Sequence, residues 1–311
     1  MMKRAAVLAG SAAFGLGAGR ARAQSTATIR IAVLPSETMA EPFYGNDMGF
    51  FGKAGIEATV QTMASTSAIG AAIAGGSIDI GGIAVDTLGT MHQRNIPITV
   101  IAACAEYAYP QTANITALLV ANNSPIRTAK DLSGKTVAAN SLHGLAEIAT
   151  ALWIDKNGGD STTLKFVELP FPAMPAALAS GRVDAAFILE PNVTIAKKTS
   201  RILADCYFPI ARRFSLNAWC CAPEWATAHP DLVKRFTAAV YETAQWANRN
   251  HAATAAIVTK YLKLDAAVAN TMVRARYAEE LNPALLQPLI DVSSAYNHTA
   301  RFPATQLIYP A

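Results

Sequence analysis

The chain has 311 residues, 52% of them hydrophobic and only 15% charged, with a formal net charge of +4. That length exceeds one small core and suits one large or two ordinary domains. Low charge with abundant Ala and Gly favours a buried sheet with helices packed around it, and no basic tract points to nucleic acid.

The first 23 residues read as an export signal. Lys3 and Arg4 precede an apolar run from Ala5 to Ala18, and Ala21-Arg22-Ala23 offers small residues for cleavage. The run is too short for an ordinary membrane span, which takes about 20 apolar residues. Arg20 and Arg22 are untypical of such a site, so an uncleaved anchor is the alternative. Cleavage after Ala23 would remove four cations and no acid, taking the net charge from +4 to 0.

Beyond the signal, short apolar runs alternate with helical patterns. Strands are predicted at 29–33, 56–60, 78–83 and 98–103, separated by helices over 41–53, 65–74 and 86–94. A second series follows, with strands at 115–121, 136–139, 165–168, 183–189, 202–204 and 216–222. Its helices cover 146–156, 173–180 and 193–198. From Pro223 onward the pattern is helical, with Leu232, Phe236, Val240 and Trp246 forming one apolar stripe. Strand–helix alternation of this kind predicts mostly parallel sheets with helices on both faces.

One short pattern occurs twice. AAIAGGSIDIGG at 71–82 matches AALASGRVDAAF at 176–187, aligning Gly76 with Gly181 and Asp79 with Asp184. Each copy predicts a small-residue helix ending on a left-handed glycine, a tight turn, and an Asp that can bond turn amides at the mouth of a strand. Coincidence in an Ala-rich chain is the alternative to two equivalent corners.

Ligands of open α/β sheets bind beyond the carboxyl ends of the strands, at helix N-termini. That rule selects Ser36 and Thr38, Ser65 and Thr66, Asp86, Asn140, Ser141 and His143, and Glu190. Ser65-Thr66 suits an anion, although hydroxyl residues also serve as ordinary helix caps. His143 is either a ligand donor or an exposed polar residue. Glu190 would repel a purely anionic ligand unless it met an amino group, and a salt bridge between lobes is its alternative role. Tyr44, Tyr107 and Trp219 are aromatic candidates for an organic solute, each with core packing as the competing role.

Several motifs lead nowhere. Gly134-Lys135-Thr136 resembles the end of a phosphate loop, but Ala129 stands where the leading Gly is needed. The cysteines, Cys104, Cys206, Cys220 and Cys221, lack CxxC spacing. One of the adjacent pair could bond Cys206 in an oxidising compartment, with buried free thiols as the alternative. Neither an HExxH nor a GxSxG motif occurs, so no catalytic, metal or cofactor site is predicted.

Taken in order, EPFYGNDMGFFGKAGIEATV (41–60), AAIAGGSIDIGG (71–82), NSPIRTAKDLSGKTVAAN (123–140), AALASGRVDAAFILEP (176–191) and HPDLVKRFTAAVYETAQWAN (229–248) run through nearly all of the mature chain. In this series the chain resembles the periplasmic solute-binding proteins of ABC importers. The similarity is to the nitrate/taurine/aliphatic-sulfonate group, which shares its domain with thiamine-pyrimidine-precursor binders. The resemblance implies a two-lobed α/β fold of type II with the ligand in the cleft. Lobe I would take 24–114 and 215–311, and lobe II 115–214, with the strands at 115–121 and 216–222 near the hinge. It also implies a monomeric, non-enzymatic periplasmic receptor that delivers a sulfonate, taurine-like or aromatic acid to an inner-membrane ABC permease. A pyrimidine-precursor-binding or -processing protein on the same fold, or a receptor feeding a sensor, are the alternatives.

Overall fold

The computed structural model describes residues 26–109 and 115–310, so the export signal lies outside the described residues. The first half of the chain forms β1 (Ala27–Val33), β2 (Ile56–Thr62), β3 (Ile80–Ala84), β4 (Thr99–Ala103) and β5 (Ala105–Ala108). There follow β6 (Thr116–Ala121), β7 (Thr136–Ala139), β8 (Lys165–Glu168), β9 (Ala185–Leu189) and β10 (Ser200–Ala204), then β11 (Arg213–Ser215), β12 (Asn217–Cys221) and β13 (Arg276–Tyr277).

These strands build two five-stranded sheets, ordered β2-β1-β3-β12-β4 and β10-β6-β9-β7-β8. Strands joined by helical crossovers, β2-β1-β3 and β9-β7-β8, pair in parallel. Strands reached after the chain changes sheet pair antiparallel: β12 with β3 and β4, and β6 with β9 and β10. Each sheet is therefore mixed, its parallel part set by crossovers and its antiparallel part by the returning chain.

A third sheet, β11-β5-β13, lies outside the expected set. It contains the paired passage between the two large sheets, with Phe214 opposite Tyr107. The strands expected near the hinge instead sit inside the large sheets, and β12 is buried along its whole length. The predicted helix over 41–53 is two helices, Glu41–Asp47 and Phe50–Lys53, separated at left-handed Gly49.

The repeated corners share their backbone geometry, and the Arg30 guanidinium adds an ion pair to Asp79 in the first. Gly76 and Gly181 both have φ of 70°, with open space where a Cβ would lie, so backbone conformation alone selects glycine. The Asp79 N–H donates to Arg30 O at 3.0 Å and its Oδ2 accepts from Arg30 N–H at 2.8 Å. Asp184 makes the same two contacts with Thr136, both at 2.9 Å. Each Asp thus clamps the neighbouring strand, not the turn amides as expected, because the strand alongside presents an open N–H at that level.

Trp219, Phe51 and Phe236 lie in the larger core, and a second apolar cluster packs Met174, Leu178 and Val193 beneath the second sheet. All four cysteines are free and buried. No described helix is long and apolar enough to cross a membrane.

Candidate functional site

Strand ends and helix starts from both large sheets converge on one cavity. Beyond β1, Thr38 stands in a single 3-10 turn, its hydroxyl 3.1 Å from that of Ser36. Helix Thr66–Ala74 follows β2, helix Val85–Gln93 follows β3, and helix Leu145–Lys156 lies beyond β7. Their first residues, Thr66, Asp86 with Thr87, and Leu145 with Ala146, all line the cavity together with Asn140 and Ser141. Three helix N-termini therefore face one space of about 510 Å³, part of it open to solvent. The Thr66 and Thr87 hydroxyls meet at 2.8 Å. Leu34, Met39, Phe171, Phe187, Leu189 and Tyr207 provide the apolar wall.

Among the described lining residues no side chain is cationic, and Asp86 supplies the carboxylate. The Leu145 N–H, at the start of the second-sheet helix, donates to Asp86 Oδ2 at 2.9 Å. This bond spans the two sheets. Asp86 Oδ1 is buried without a hydrogen-bond partner among the described residues. Burial pushes the Asp86 carboxyl up to about 6, and the Leu145 amide opposes that rise.

A polar cluster lies beside the cavity. Arg274 Nε is 3.2 Å from Glu37 Oε1 and its Nη2 donates to the Tyr44 hydroxyl at 2.7 Å. Tyr44 donates in turn to Glu37 Oε2 at 3.1 Å. Burial raises Glu37 to about 7 despite the opposing Arg274 charge. Tyr44 thus belongs to a buried network and is outside the cavity lining.

Other candidates also lie outside it. Ser65 caps its helix, accepting from Ala68 N–H at 3.2 Å. Thr194 donates to both oxygens of Glu190, through its N–H and its hydroxyl, at 2.9 Å each, and Val273 N–H donates at 3.2 Å. Those donors hold the Glu190 carboxylate in packing. Tyr107 is buried and donates to Asp205 at 2.9 Å. Trp219 donates to buried Glu41 at 3.0 Å within the core, because the inward face of β12 carries it there. His143 is exposed at the start of the helix Leu145–Lys156.

The structure therefore brings Thr38, Thr66, Asp86, Asn140 and Ser141 together, with Ser36 supporting Thr38. It adds Thr87, Phe171, Phe187, Tyr207 and Asn217, which sequence reasoning missed. Thr87 and Phe171 satisfy the strand-end rule that selected the others. Tyr207 and Asn217 follow the passage back toward the first sheet, which no local pattern marks.

Two α/β lobes whose strand ends share one interlobe cavity define the periplasmic binding-protein fold. The profile described as NMT1/THI5 like matches residues 38–253, and the chain belongs to that family. It is 26% identical over 216 residues to the taurine-binding periplasmic protein of Escherichia coli (strain K12), covering 67% of this chain. The match spans 64% of that relative, just under two thirds of its length. The periplasmic aliphatic sulphonate binding protein SsuA of Escherichia coli superposes with a TM-score of 0.73 at 19% identity, covering 91% of this chain and 92% of its own. The alkanesulfonate-binding protein SsuA of Xanthomonas axonopodis pv. citri, bound to MOPS, gives 0.76 at 18% identity, with 93% and 100% covered.

Proposed function

We propose that this chain is the periplasmic substrate-binding component of an ABC importer, exported by its N-terminal signal, and that it captures a small organic acid bearing an amino group. It binds the solute without converting it. Lobes comprising 24–114 with 215–311, and 115–214, close on the solute and present the closed form to an inner-membrane permease as a monomer.

The observation that carries this reading is the meeting of three helix N-termini around a cavity whose ionisable carboxylate is Asp86. Helix N-terminal amides and the Thr66, Thr87 and Ser141 hydroxyls suit a sulfonate or carboxylate. Asp86 disfavours a bare anion and suits an ammonium group, so a taurine-like zwitterion satisfies both ends. The relatives that bind taurine and sulfonates support the same class. The Phe171 and Phe187 rings favour a second ligand, a heteroaromatic acid with a ring N–H.

Thermal melts of the chain from residue 24 with taurine, alkanesulfonates, nitrate and aromatic amino acids provide the test. Ligand at about 100 times its Kd stabilises by about 2.7 kcal/mol, a plain rise in Tm. Failure of every organic acid to raise Tm would overturn the proposal. Chemical conversion of a bound solute would favour an enzyme.

A further inference from the structure

At the rim of the cleft, two histidines and a glutamate from two parts of the chain meet at the molecular surface. We infer that His143, Glu147 and His298 form a binding site for a divalent transition-metal ion, Zn²⁺ being the best match. One ligand atom from each side chain lies within 4.8 Å of the others. His143 Nδ1 is 3.8 Å from Glu147 Oε1. Around a tetrahedral Zn²⁺ with bonds of 2.0–2.1 Å, ligand atoms stand about 3.3 Å apart. Small side-chain rotations close that difference, and the His143 side chain is 79% exposed and free to make them.

The remaining polar atoms are already arranged as a supporting shell. His298 Nδ1 lies 3.0 Å from the His143 carbonyl oxygen. A carbonyl only accepts, so Nδ1 carries the proton and Nε2 keeps its lone pair for a metal. Metal-ligating histidines commonly donate their other N–H in this way. Glu147 Oε2 accepts the His143 N–H at 2.9 Å, which leaves Oε1 for coordination. Two imidazoles and a carboxylate, with the fourth position left to water, make a borderline donor set that suits Zn²⁺ over Mg²⁺ or Ca²⁺.

The site joins the two lobes. His143 and Glu147 stand at the start of the helix Leu145–Lys156, which packs against the second sheet. His298 follows the helix Pro283–Ala295, which packs on Val85–Gln93 of the first. A bound ion therefore bridges lobes at the rim of the cleft, on the side where Tyr296 donates to Asp155 at 2.7 Å.

The test is a Zn²⁺ titration of tag-free, chelator-stripped chain against a chromophoric chelator, with Tm recorded in parallel. We expect one Zn²⁺ per chain and a rise in Tm on binding. The double variant His143→Asn with His298→Gln should lose affinity by at least about tenfold, together with the Tm rise. Asn accepts the left-handed backbone that His143 adopts, φ of 59°, and circular dichroism checks that the fold survives. Glu147→Gln, which can still accept the His143 N–H, should weaken binding without unfolding. Absence of stoichiometric Zn²⁺ binding, or unchanged binding in the folded double variant, would overturn the assignment.

Discussion

Buried carboxylates set the behaviour of individual residues here. Burial raises Asp86 to about 6, Glu37 to about 7 and Glu41 to about 8. A raised native pKa means the folded chain binds these protons more tightly than the unfolded chain. Their stabilising contribution is therefore complete below about pH 4 and is lost as pH rises through about 6 to 8. Tm should be higher at pH 5.5 than at pH 8.5. Glu41→Gln, which can still accept from Trp219, should flatten the decline above pH 6, and an unchanged slope would rule Glu41 out as its source. Asp86→Asn should weaken taurine-like ligands about tenfold and strengthen amine-free alkanesulfonates by a similar factor. Calorimetric titration of both classes checks it, and parallel losses for the two would refute the charge role. Asp86 was legible in sequence because a strand end places it at the cavity. Glu190 shares that placement, but its carboxylate is held by Thr194 and by Val273, 83 residues away, and no local pattern shows such a partner.

Among the elements, the doubled corner carries the most information. Asp184→Ala removes a charge-assisted bond to Thr136 N–H and should destabilise by about 1.5–3 kcal/mol in urea unfolding. Asp79→Ala should cost at least as much, since it also breaks the surface ion pair with Arg30, and the effects should add because the two corners lie in separate sheets. Strong non-additivity would mean the corners are coupled. The large sheets were legible because most of their strands are apolar runs set between helical patterns. The small sheet was not: its strands span two to four residues and pair across more than a hundred positions of chain. The buried Glu106 carboxylate ties that sheet together, pairing with Arg213 on β11 and Arg276 on β13. Glu106→Ala should cost about 2 kcal/mol, moderated because both arginines reach water.

For the whole molecule, closure is the property to measure. The Asp86 bond to Leu145 N–H and the Tyr296 bond to Asp155 both join the lobes. Tyr296→Phe removes the second and should weaken ligand binding several-fold, by favouring the open form without touching the cavity. Unchanged affinity would show that the bond contributes nothing to closure. The two-lobe plan was legible from the repeated corner and the ordered family segments. The location of the passage between lobes was not, since it depends on strand pairings distant in sequence.

The equivalent corners lead to unlike ends. Past the first corner's strand the carboxylate of Asp86 turns into the cavity; past the second, that of Glu190 is held by Thr194 of its own helix and by the Val273 N–H. A nearly twofold scaffold thereby acquires a polarity. For the proposed zwitterionic solute, the ammonium group would have one favoured place, beside Asp86. The reverse placement would set the anionic end against that carboxylate, so the proposed site would select orientation as well as composition.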